Sequence, residues 1–153
     1  MKRRFLILGL FCFVLLGMFP RVQAEEIMNF SSIFGGGMVL QQNRPVNIFG
    51  EGKNGDSVTV VLKRAEQEIV RQTGTVENGR WCVTLPAQSG SFEEYTIEAT
   101  AGSVTRAVQA VVFGEVWIAG GQSNMEWTLQ KTAQAPDWAQ KEHNGKVRFF
   151  VSV

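Results

Sequence analysis

Cysteine is nearly absent from this chain. Among 153 residues there are two, Cys12 and Cys82, and the first falls in a leader-like segment, so the second is left with no partner for an intrachain disulfide. Histidine occurs once, at His143, and aspartate only at Asp56 and Asp137. One histidine and one thiol make no ligand cluster at useful spacing, so no metal site is expected, and nothing in the sequence asks for a cofactor. Basic patches are missing as well, which argues against nucleic acid as a partner. No apolar run reaches the roughly 20 residues that a membrane-spanning helix needs.

The longest apolar run, residues 5–19, follows Lys2, Arg3 and Arg4 and ends at Pro20, and Val22-Gln23-Ala24 offers small residues for cleavage. This is the pattern of a secretory signal peptide over residues 1–24. Phe11 ahead of Cys12 is too bulky for a lipoprotein box, so no stable membrane anchor is expected after cleavage, and the product is expected outside the cytoplasm, secreted or periplasmic. Cleavage would remove four of the 15 basic residues and none of the 14 acidic ones, leaving a net charge of −3. Without a disulfide, stability must come from packing, and Cys82, between Trp81 and Val83, is expected in the core.

What the chain does have is short β-rich runs at even spacing. Residues 57–63, 81–85 and 95–99 read as strands, separated by Gly50-Glu51-Gly52, Asn54-Gly55-Asp56, Asn78-Gly79 and Ser89-Gly90-Ser91. Asn78-Gly79 is the best tight turn, because a type I′ hairpin needs positive φ at both central residues. No long helical periodicity interrupts this region, so residues 25–112 are expected to form a sandwich of two packed antiparallel sheets.

The pattern changes afterwards. Residues 116–119, Val-Trp-Ile-Ala, are apolar without alternation, which suggests a strand covered on both faces. Residues 123–130 can open a helix with Glu126 in its first turn, residues 137–142 look like a second helical stretch stopped by Asn144-Gly145, and residues 146–153 read as another strand. Strand, helix, strand is how an α/β domain starts. Residues 113–153 are therefore expected to be the incomplete beginning of one, within a fold that is mainly β.

Ser123 stands where that strand would meet that helix, just after Gly120-Gly121. Glycines allow unusual backbone geometry, and a helix start presents unpaired N–H groups, which is what a nucleophilic serine and its oxyanion require. The same residue could simply cap the helix. It does not belong to a G-x-S-x-G elbow, since Met125 occupies the second glycine position. His143 lies in a polar helix end, Lys141-Glu142-His143-Asn144-Gly145, and reads as a surface residue rather than a base. Trp127 reads as core or as the wall of a sugar pocket.

The stretch Gly121-Gln122-Ser123-Asn124-Met125, preceded by Gly114-Glu115-Val116-Trp117-Ile118, resembles the first block of the sialate O-acetylesterase family, within the SGNH/GDSL-type hydrolases. Residues 34–52, FGGGMVLQQNRPVNIFGEG, resemble that family's opening β segment, and EWTL and VRFFV resemble the stretch after its nucleophile block. The resemblance implies a secreted serine esterase that removes O-acetyl groups from sialic acid or a related sugar. Ser123 would be the nucleophile and its backbone N–H one oxyanion contact, with Gln122, Asn124 and Trp127 near the substrate. Members of the family take their base from an Asp-x-x-His, a pattern that these residues do not contain. The expectation is thus an N-terminal portion lacking the catalytic His and Asp and inactive alone. Acetylated xylan is the alternative substrate, and a non-catalytic carbohydrate-binding module the alternative of a different class.

Overall fold

The computed structural model describes residues 27–123, 127–128, 131 and 146–150. The expected leader, the helix at 137–142 and most of the helix at 123–130 lie outside the described residues.

Eight strands form two sheets. Strands β1 (Met28–Phe30), β3 (Val46–Gly52) and β6 (Arg80–Leu85) make a three-stranded antiparallel sheet in the order β1-β3-β6. Strands β2 (Val39–Gln41), β4 (Ser57–Arg64), β5 (Gln67–Thr75), β7 (Ser91–Ala101) and β8 (Val104–Gly114) make the other, in the order β2-β8-β7-β4-β5. Every pair is antiparallel except β2 and β8, which run parallel with Val39 opposite Val112. A fully antiparallel sandwich is therefore corrected at one edge, where the long connection from β2 to β8 removes the need for a hairpin.

Alternation explains the core. On β6, Trp81, Val83 and Leu85 are buried, and on β7 so are Tyr95, Ile97, Ala99 and Ala101. They meet Met28, Ile48, Val58, Val60 and Leu62 in one cluster drawn from both sheets. Side chains two apart share a face, so Cys82, between Trp81 and Val83, points the other way and is exposed. The expectation of a core thiol is overturned by the strand's own period.

Asn78 and Gly79 adopt φ of 53° and 76°, and Glu77 and Arg80 exchange two backbone hydrogen bonds of 2.8 and 3.0 Å. This is the expected two-residue hairpin, and it carries the chain from β5 of one sheet to β6 of the other. Gly50-Glu51-Gly52, by contrast, is no turn but the end of β3. A Cβ at Gly50 would stand 1.9 Å from the carbonyl oxygen of Asn29. The glycine is there so that β1 can approach, as glycine inside a strand often signals.

One irregularity shapes the region that follows. Between Tyr95↔Val111 and Ile97↔Val108, β8 spends one residue more than β7, and Ala110 sits in this bulge with φ of 56°. A bulge turns backbone groups out of the ladder. Here the carbonyl of Gln109 accepts from Gly37 N at 3.0 Å instead.

Candidate functional site

The site has to be built from the end of β8. Gln42 N donates to the carbonyl of Gly114 at 2.9 Å, and the side chains of Gln41 and Gln42 both donate to the Glu115 carboxylate, at 3.2 and 2.5 Å. Gln41 Oε1 in turn accepts from Val116 N at 3.0 Å. The place of Gln42 is itself kept open by Gly90, where a Cβ would fall 1.8 Å from Gln42 Oε1. Two consecutive glutamine side chains, projected from the end of a strand that lies parallel to β8, thus grip the chain as it leaves the sandwich.

These contacts hold the Glu115 carboxyl below the usual carboxylate range, chiefly through the hydrogen bond from Gln42, then that from Gln41, with Arg44 adding a smaller attraction. A lowered folded value means that the grip contributes fully above the unfolded value of about 4.3 and is lost as pH falls through the lowered one. An NMR titration is expected to show the Gln42 side-chain amide and the Val116 amide moving together, with a midpoint below that of a glutamate in an unstructured peptide. A midpoint at or above the peptide's would contradict the grip.

Beyond Val116 the sequence expectation fails. Residues 115–120 form no strand, and Trp117 and Ile118 are 87% and 97% exposed. Residues 146–150 form none either, with Phe149 at 89%. An apolar run becomes a strand only when a neighbour supplies backbone partners, and among the described residues none does. Val116 N bonds to a glutamine side chain instead.

Gln122 and Ser123 lie on this stretch and are exposed. Trp127 is 62% exposed, which corrects its reading as core, because no packed layer among the described residues covers it. Asn124, Glu126 and His143 lie outside the described residues. Ser123 is therefore accessible, and no hydrogen bond among the described residues joins it to a base. Nor do these residues include a group of three His, Cys, Asp or Glu side chains able to hold a metal ion. No helix among them is long and apolar enough to cross a membrane. An open depression elsewhere, lined by Phe49, Gly50, Thr75, Glu77, Arg80, Trp81 and Cys82, includes none of the predicted site residues. The residues of this corner that sequence reasoning overlooked are Gln41, Gln42 and Glu115. The Gln-Gln pair and the glutamate were visible, but nothing local says that side chains more than 70 positions apart meet.

Searched against family models, the chain matches none. Its sequence is 34% identical over 112 residues to the sialate O-acetylesterase of Mus musculus, covering 69% of this chain and 21% of that protein. It is 35% identical over 107 residues to the sialate O-acetylesterase of Homo sapiens, covering 65% and 20%. Among solved structures it is similar to a carbohydrate acetylesterase from Xanthomonas citri, with a TM-score of 0.63 and 28% identity over 72% of this chain and 24% of that one. The chain spans about a fifth of the length of the curated relatives it matches. On sequence and on fold together, the chain belongs to a sialate O-acetylesterase-like family.

Proposed function

We propose that the chain forms the β-sandwich and the nucleophile-bearing segment of a secreted carbohydrate O-acetylesterase, with residues 1–24 as its signal peptide, 25–112 as the sandwich and 113–153 as the start of an SGNH-type domain. The observation that carries this reading is the block Gly-Gln-Ser-Asn-Met around an exposed Ser123, in a chain about one third identical to sialate O-acetylesterases.

In the reaction, Ser123 Oγ attacks the acetyl carbonyl carbon while a base takes its proton. The carbonyl electrons move onto oxygen, which accepts a hydrogen bond from the Ser123 N–H. The tetrahedral intermediate collapses, the sugar hydroxyl leaves with the proton, and water then releases acetate from the serine ester. Gln122, Asn124 and Trp127 would contact the sugar, Trp127 through its exposed ring. O-acetylated sialic acid is the substrate best supported by the mammalian relatives. The likeness to a carbohydrate acetylesterase from Xanthomonas citri supports acetylated carbohydrates as a class, and acetylated xylan is the alternative substrate.

The proton step needs a base that these residues do not furnish in the Asp-x-x-His form. Assayed with p-nitrophenyl acetate and an O-acetylated sialic acid, the 153-residue chain is therefore expected to release acetate no faster than the blank. A chimera in which residues 27–153 replace the corresponding stretch of the Xanthomonas citri enzyme is expected to turn over. Turnover by the chain alone that disappears in both Ser123→Ala and His143→Ala would reveal a working pair within these residues and overturn this assignment of the base.

A further inference from the structure

The same corner of the sandwich meets the chain a second time. Arg148 Nη1 donates to the carbonyls of Ala110 at 2.6 Å, Gly37 at 2.8 Å and Met38 at 3.4 Å. Its Nη2 lies 3.8 Å from Glu94. Two residues earlier, Lys146 Nζ stands 4.6 Å from the centre of the Phe92 ring. Residues 146–148 therefore lie along the start of β7 and over the bulge of β8.

The acceptors have a structural origin. Ala110 is the bulge residue with positive φ, so its carbonyl is turned out of the β7–β8 ladder. Gly37, with φ of 80°, and Met38 form the turn that leads into β2. The two N–H groups of Nη1 serve the nearer carbonyls, Ala110 and Gly37, with Met38 a longer third contact, and the permanent charge of the guanidinium strengthens them while its rigid plane leaves Nη2 on the side of Glu94.

We infer that β2, the turn before it and the bulge of β8 act as a two-point clamp on the segment carrying the serine block, holding its start at Glu115 through Gln41 and Gln42 and its far side at Arg148 through the carbonyls of Gly37, Met38 and Ala110. Six consecutive residues, 37–42, furnish contacts to both ends. Glu115 and Arg148 are positioning residues: they touch no substrate, but they fix where the chain leaves the sandwich and where it returns. The sandwich is thereby a jig for the esterase segment rather than an appended module. The positioning role rests on Ser123 as nucleophile, whereas the clamp itself does not.

The test uses the 153-residue chain and reads the clamp without activity. Chymotrypsin must draw several residues around Phe149 into an extended conformation, which requires Arg148 to let go. Arg148→Ala is expected to speed cleavage after Phe149 and Phe150 by about tenfold, in line with the loss of charge-assisted hydrogen bonds, with cleavage after Tyr95 and Phe113 unchanged. Arg148→Lys is expected to fall between, since one ammonium recovers part of the contact. In both variants the carbonyl carbon resonances of Ala110, Gly37 and Met38 should shift while those of β4 stay in place. Unchanged cleavage at Phe149 in Arg148→Ala would overturn the clamp. So would equal acceleration at Phe113 and Phe149 in both variants, which would make Arg148 a general stability residue. An inactive chimera would instead sink the esterase reading and leave this result standing.

Discussion

Replacing Trp81 with alanine is expected to cost the sandwich about 3–5 kcal/mol, the range for truncating a buried large aromatic. For a domain of this size such a loss is a large part of its total stability. Trp81 is 2% exposed, lies opposite Gly50 on the central strand of the smaller sheet, and meets Phe30 edge-on at 5.6 Å between ring centres. Its indole N–H donates to the carbonyl of Glu51 at 3.1 Å, so truncation removes a hydrogen bond as well as a ring from the packed core. The neighbouring Cys82→Ala is the internal control. It alters an exposed side chain on the opposite face and is expected to stay within about 0.5 kcal/mol of the parent. Urea unfolding followed by circular dichroism measures both. Similar losses at the two positions would contradict the facing assigned to β6.

That pair of residues also marks what the sequence disclosed and what it withheld. The strands around 57–63, 81–85 and 95–99 and the Asn78-Gly79 hairpin were legible, because alternation and positive φ are local properties. Strand β5 was not. It is an edge strand with no fully buried residue, six of its nine being exposed and only Ile69, Val70 and Gly74 half-buried, and so it lacks a buried stripe. Strands β1 and β2, three residues each, are too short to show a period. Gly50 looked like a turn because glycine marks both turns and close approach, and only the position of Asn29 decides between them.

The apolar residues at 116–118 and 149–150 show the complementary limit. Their composition suits a buried strand, yet burial depends on partners, and none of the described residues covers them. Composition states what a segment can pair with; it does not supply the pair. The serine block, in contrast, was readable as a motif through its resemblance to the sialate O-acetylesterase family, whereas its residue types alone left Ser123 open between nucleophile and cap. Its mounting was hidden for the opposite reason. Gln41 and Gln42 meet Glu115 across 74 and 73 positions, and Gly37 meets Arg148 across 111. Contacts at such separations follow from sheet order and from the Ala110 bulge, which no local pattern announces. Ala110 is not a residue type that favours positive φ.

The central claim is that Ser123 is the nucleophile of a carbohydrate acetylesterase rather than a capping residue, and the two roles differ by orders of magnitude. A serine that only caps a helix is worth about 1 kcal/mol of stability when changed to alanine, and its loss would leave kcat nearly untouched. A nucleophile has no substitute, because alanine offers no atom to form the acyl intermediate, and removal of such a serine in a triad hydrolase costs roughly 10⁶ in kcat. The deciding measurement is acetate release from an O-acetylated sialic acid by the chimera carrying residues 27–153, compared with its Ser123→Ala variant, both shown to be folded by circular dichroism. The account predicts turnover by the parent and, in the variant, a rate indistinguishable from spontaneous hydrolysis. Equal rates in the two proteins would contradict it and return Ser123 to the role of a cap.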